Sequence, residues 1–249
     1  MSIEILLFFS ILLYVSMHFF ETVSISANIA GRFTKKQSQG ISIQHSTFVL
    51  GRITLPFLLL LLSYAIEKGI DVKSFLLITI TLAFASFIVT FIVVKNINLF
   101  QKFYQELFSK HEEMGLIPAI FAARNFVGNK KLIDFKIDSA YRLIIFPKML
   151  SACAAYFFLG SAFLISFYFA IMLPEYRLTI SQFTTLFQGI GGLLMAFYVE
   201  PMFSKSLDNE KDHELWIRNF YSIMYGRLMS FLFSTFIFIS VFIVYQTSS

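Results

Sequence analysis

Apolar residues gather in six long blocks, at 3–30, 46–66, 74–94, 143–173, 178–199 and 224–245, with charged residues concentrated between them. Each block has roughly the 20 residues that a helix needs to cross a hydrocarbon core about 30 Å thick. The pattern therefore predicts an all-α polytopic membrane protein of about six transmembrane helices, forming one transmembrane domain over 1–249. The first block carries no basic residue before its apolar stretch, and that stretch is longer than a signal-peptide core, so it reads as a span. Between the third and fourth spans lies a loop of different character, about 95–141. There Leu99, Phe100, Phe103, Tyr104, Leu107 and Phe108 recur at helical spacing opposite Lys102, Glu106, Lys110 and Glu113. That spacing predicts an amphipathic helix lying along the headgroup layer. A second short helix is expected over 118–127, opened by Pro118 and closed by the Gly128-Asn129 turn. The loop reads either as a connector or as a surface that admits a substrate.

Composition agrees with the blocks. The chain is 57% hydrophobic and 14% charged, with a mean hydropathy of +0.73. Soluble domains are about a quarter charged. The net charge of +5 does not point to nucleic acid here, because the placement of the cations carries the information. Seventeen of the 20 Lys and Arg fall in or beside loops one, three and five, among them Arg32, Lys36, Arg52, Lys148 and Arg227. Only Lys68, Lys73 and Arg177 fall on the other side. This asymmetry predicts that loops one, three and five are cytoplasmic and that both termini are outside. Three spans on each side of the long loop permit two inverted halves, as in many transporters.

Polar residues inside the spans are the candidates for function, since a charge in hydrocarbon costs several kcal/mol (about 3 on insertion scales) unless it is paired or faces a cavity. Glu21 stands about 15 Å of helix from Gly31 and is followed by Thr22, Ser24, Ser26 and Asn28. It reads either as interfacial or as part of a polar path. Arg52, four residues before Pro56, is its natural counter-ion, and its guanidinium also suits a phosphate. Arg142 and Lys148 mark the cytoplasmic end of span four, as headgroup anchors or as entry cations. In span five, Ser181, Thr184, Thr185, Gln188, Gly191 and Gly192 share one face, which serves helix packing or walls a polar cavity. Glu200-Pro201 closes that span with a carboxylate suited to proton coupling. Cys153 is a lone thiol without a disulfide or zinc spacing. His18, His45, His111 and His213 share no ligand spacing, and no nucleotide-binding or hydrolase motif appears. No catalytic residue, metal or cofactor is expected.

Three segments carry a family resemblance: His18-Phe19-Phe20-Glu21-Thr22 leading to Ala30-Gly31, the span with Arg52, and Leu173-Pro174-Glu175-Tyr176-Arg177 followed by Ser181-Gln182 and Glu200-Pro201. Together they resemble the Amj family of bacterial alternate lipid II flippases. The resemblance implies a transporter rather than an enzyme, in the bacterial cell membrane. It would move an undecaprenyl-pyrophosphate-linked sugar, the peptidoglycan precursor in characterised relatives, from the inner to the outer leaflet. Glu21, Arg52, Glu175, Arg177, Gln182 and Glu200 occupy matching places. One position departs: family members often carry an Arg shortly before the Ala-Gly pair, where this chain has Asn28. A relative serving a capsule or O-antigen precursor would share these features. The expected substrate-binding set is Glu21, Asn28, Arg52, Arg142, Lys148, Gln182, Gln188 and Glu200. Two other classes, a membrane enzyme acting on lipid phosphates and a membrane adaptor, remain as alternatives.

Overall fold

The computed structural model describes residues 3–123, 144–202 and 213–248, and every regular element among them is helical. Six helices, Glu4–Phe33, Gln37–Glu67, Val72–Lys95, Phe146–Met172, Pro174–Met202 and Leu215–Ser248, are long and apolar enough to cross a membrane. The chain is an all-α polytopic membrane protein. Large apolar side chains such as Phe8, Phe57, Leu60, Phe84, Phe91 and Phe236 point outward, as a surface dissolved in lipid requires.

Helix α1 (Ile3–Phe33) turns at Lys35 (φ 58°) into α2 (Gln37–Arg52). The turn is closed by the Lys36 N–H donating to Gly31 O at 2.8 Å. The second span therefore starts nine residues before the apolar pattern predicts. The polar run Gln37 to His45 resembles a loop by composition, but it is helix because Gly31 and Gly40 let α1 and α2 nearly touch. A Cβ on Gly31 would lie 2.9 Å from Gly40 Cα. In lipid, where apolar burial drives little association, such close backbone packing holds helices together.

The second span breaks between α2 and α3 (Thr54–Glu67). Pro56 has no N–H to give the carbonyl of Arg52, four residues earlier, so the helical ladder is interrupted there. In the same turn Thr54 Oγ1 donates to Gly51 O at 2.7 Å. The third span is α4 (Val72–Lys95), started by Asp71, whose side chain accepts from Ser74 N–H at 3.0 Å. The expected amphipathic helix is α5 (Ile97–Glu113). It packs Tyr104, Leu107 and Phe108 against Val23, Ala27 and Ala30 of α1, and Lys36 pairs with Glu112 at 2.6 Å. Helix α6 (Leu116–Ala123) follows, starting two residues before Pro118. The rest of that predicted helix and the Gly128-Asn129 turn lie outside the described residues.

The second half opens with α7 (Phe146–Met172), which carries Pro147 in its first turn. A 3₁₀ turn, Pro174–Tyr176, leads to α8 (Arg177–Leu194), which continues through a π-helical turn at Met195–Val199. Gly191 brings α8 onto α7, since a Cβ there would meet Leu159 N at 2.9 Å. The last helix, α9 (His213–Ser248), begins eleven residues before the predicted span. Trp216, Phe220 and Ile223 are buried along one face of that added stretch.

The two halves meet in an apolar core in which Tyr14 and Met17 of α1 and Leu58 and Leu62 of α3 pack with Phe75 and Leu82 of α4. Phe163 and Phe167 of α7 and Phe238 of α9 complete it. A second cluster, Ile25, Ile29, Ile97, Trp216 and Tyr221, joins α1, α5 and α9 at the other end. The polar site lies between these two apolar regions.

Candidate functional site: a buried carboxylate between two arginines

Glu21 is buried in α1, with 2% of its surface exposed. Its Oε2 accepts from Arg227 Nη2 of α9 at 2.5 Å, and its Oε1 lies 2.5 Å from Arg52 Nε. The Arg52 contact is an ion pair without an aligned N–H, because neither atom completes a hydrogen bond. His18, one turn earlier, places Nδ1 3.1 Å from Glu21 Oε2 and 3.2 Å from Arg227 Nη2. Two guanidiniums thus face one carboxylate, leaving one positive charge over.

The two arginines are held differently. Arg227 is 1% exposed, with its guanidinium over Tyr156 at 4.7 Å and Phe231 at 5.9 Å, so cation–π contacts fix it. Arg52 keeps 24% of its side chain exposed and leans on Phe48 at 5.2 Å. It also sits at the Pro56 break. Of the two, Arg52 is the less buried.

Glu21 and Arg227 form one wall of a cavity of about 240 Å³. Ser24, Ile25 and Asn28 extend the α1 face, Ile41, Gln44, His45 and Phe48 come from α2, and Tyr156 comes from α7. Met195, Val199 and Glu200 come from the π-helical turn and the residue after it. A π turn widens a helix locally and often marks functional sites. The cavity therefore lies where α1 and α2 of one half face α7, α8 and α9 of the other.

Among the expected binding residues, Glu21 and Arg52 come together as a pair. Asn28 lines the cavity and donates to Gln44, and Glu200 lines it from an exposed position. Lys148 is elsewhere, donating to Asn219 Oδ1 at 2.6 Å across α7 and α9. Gln182 is exposed and Gln188 half-buried on α8, and neither lines the cavity. Glu175 is exposed in the 3₁₀ turn, and Arg177 opens α8 beside it. Both are roughly 25 Å of helix from Tyr156. Arg142 lies outside the described residues.

Sequence reasoning missed three members. The charge pattern places Arg227 among the span-end cations, yet it lies about 21 Å into α9 at 1.5 Å per residue. Its signal was available: Trp216, Phe220, Ile223 and Arg227 recur at helical spacing, a cation on a buried stripe. His18 was legible only as a residue three before Glu21, and Tyr156 gave no signal. Outside the spans, Tyr104 of α5 donates to Thr47 Oγ1 at 3.2 Å, and burial pushes its hydroxyl up to about 12.

These features define a six-span membrane protein with a charged cluster whose Glu21 and Arg227 line an open cavity. No family model, curated protein or solved structure matches the chain.

Proposed function

We propose that the protein is a flippase for a polyprenyl-pyrophosphate-linked saccharide in the bacterial cell membrane, with lipid II the first substrate to test. The observation that carries this reading is the Glu21–Arg227 pair on the wall of a cavity between two three-span halves, with Arg52 paired to the same carboxylate from outside the lining. Moving such a lipid requires shelter for a diphosphate-sugar head while the tail stays in hydrocarbon. Guanidinium forks suit phosphate oxygens, and the interaction strengthens away from water. Glu21 serves as internal counter-ion in the empty state. An incoming diphosphate exchanges with it on Arg227, which lines the cavity, and the partly exposed Arg52 follows as its carboxylate partner is displaced. Asn28, Gln44 and Ser24 offer hydrogen bonds to sugar hydroxyls.

The charge asymmetry of the loops supports an orientation with the α1–α2 turn and α5 in the cytoplasm, so that the cavity loads from the inner leaflet. The likeness of the Glu21 and Pro174-to-Glu200 segments to Amj flippases supports the same passenger. A three-plus-three arrangement, with the second span interrupted at Pro56 and the fifth widened by a π turn, supports alternating access between inverted halves.

The test is complementation. Cells depleted of their resident lipid II flippase are given this chain, and growth and surface access to lipid II are measured. Rescue by the wild type and none by Arg52→Ala, at equal membrane levels, is expected. Absence of rescue by the wild type sends the assignment to capsule or O-antigen precursors, assayed in the same way. Full rescue by Arg52→Ala removes the cluster from the mechanism.

A further inference from the structure

The charges that line the cavity are not all accounted for by the Glu21–Arg227 pair. A second carboxylate, Glu200, enters the lining from the end of α8. With Arg52 held on Glu21 from outside the lining, the cluster sets two guanidiniums against one carboxylate. That end of the cavity therefore carries one positive charge in surplus, and the Glu200 end carries one negative charge. The cavity is bipolar.

Local structure fixes where Glu200 stands. The π turn Met195–Val199 widens the helix immediately before it. Val199 is 1% exposed and packs with Ala152 and Ala155 of α7 and with Ile223 of α9. Ile223 lies one turn before Arg227, so the end of α8 is anchored on the helix that carries the buried cation. Asn219 of α9 donates to Met202 O at 3.5 Å and ties down the chain just beyond Glu200. The carboxylate itself is exposed, and no cation among the described residues pairs with it.

A diphosphate on Arg227 shares the cavity with this carboxylate. Like charges repel more strongly where water is scarce. A carboxylate in an anion site therefore selects against a bare anion and for a head that brings its own cation. A metal ion would need several protein ligands, and no group of three or more His, Cys, Asp or Glu side chains stands together among the described residues. An ammonium needs one carboxylate and neutral oxygen acceptors for its remaining protons. Ser24, Asn28 and Gln44 line the same cavity and offer such oxygens.

We propose that the cavity takes a zwitterionic lipid head, with its phosphates on the arginine cluster and an ammonium on Glu200. This inference rests on the anion-site reading above and narrows it: the diphosphate-linked saccharide carries an amine, as an amino sugar or an amino acid attached to a sugar does. Glu200 is then a specificity-determining residue. It attracts a head that bears an ammonium and penalises an otherwise identical neutral head, whose diphosphate meets an uncompensated carboxylate. Glu21 keeps its separate part as counter-ion of the arginines in the empty state.

The experiment measures binding to the full chain in lipid nanodiscs with two probes, geranylgeranyl pyrophosphate esterified with ethanolamine or with ethylene glycol. The probes share tail and diphosphate and differ by an ammonium against a hydroxyl. At about pH 7 the primary amine is charged, as that of lysine is. The wild type binds the ammonium probe about tenfold tighter, the effect of one charge-assisted hydrogen bond. Glu200→Gln weakens the ammonium probe and tightens the hydroxyl probe, so the ratio falls to about one. Glu200→Asp, which keeps the charge, keeps a preference of the same sign. Equal wild-type affinities overturn the proposal, as does a preference that survives in Glu200→Gln. A preference lost in Glu200→Asp as well assigns Glu200 to packing and overturns its part. Binding of both probes only with added magnesium assigns the carboxylate to a metal ion and overturns the ammonium. Binding of neither probe under any of these conditions overturns the anion site itself.

Discussion

Arg227 and Glu21, 206 positions apart in the chain, meet through a 2.5 Å hydrogen bond in the middle of the bundle, each at most 2% exposed. That pair ties the last helix to the first, and Arg52 adds the second. A carboxylate so buried depends on its cations, because removing one partner of a buried pair leaves an uncompensated charge.

Glu21→Gln should therefore lower stability by about 3–5 kcal/mol, since it leaves the buried Arg227 facing no carboxylate, seen as a reduced thermal midpoint in detergent. Arg227→Met added to it should recover much of that loss, since it removes the stranded guanidinium. A double variant no more stable than Glu21→Gln would mean that the pair is not the source of the effect.

Glycine contacts give a graded prediction. A Cβ at Gly226 would come within 2.5 Å of Met149 O, whereas at Gly189 nothing lies within 4 Å. Gly226→Ala should cost about 1–3 kcal/mol through overpacking. Gly189→Ala should be neutral or stabilising by up to about 1 kcal/mol, since alanine favours helix. Equal melting of the two variants would contradict the α7–α9 packing.

Asp71, outside the spans, caps the first turn of α4, where hydrogen bonding to the Ser74 side chain and then to its N–H holds the carboxyl below the usual aspartate range. A depressed carboxylate contributes stability that is present above its unfolded value, near 3.8, and disappears as pH falls through the lower folded value. Asp71→Asn should thus be indistinguishable from wild type in its response down to about pH 4 and differ only in stronger acid. The check is a melting series across pH. A difference in pH response that appears between pH 5 and 7 would exclude this cap as its origin.

Orientation is directly readable because Cys153 is the single cysteine. In a Cys153→Ala background, Lys73→Cys should react with a membrane-impermeant maleimide on intact cells, and Glu113→Cys should react only after the membrane is opened. Both positions are exposed. The reverse pattern would invert the topology proposed from the loop charges.

Hydropathy made six spans legible because each must present a continuous apolar surface to lipid, and that requirement is written residue by residue. It failed at two helix starts. Gln37 to His45 and Trp216 to Ile223 are helix because neighbouring helices satisfy them: Gly31 admits α2, and α5 with α1 covers Trp216. The amphipathic α5 was legible for the same local reason, its own period.

The sequence by itself determined that this chain lives in a membrane, how many times it crosses, and that Glu21 and Arg52 belong together, one turn-compatible height apart. Only the tertiary structure decided that Arg227 is the second cation, that His18 and Tyr156 complete the cluster, and that Gln182 and Gln188 lie away from the cavity. The physical reason is that periodicity specifies which face of a helix is buried. Which other helix that face meets is set by side-chain packing between segments far apart in the chain.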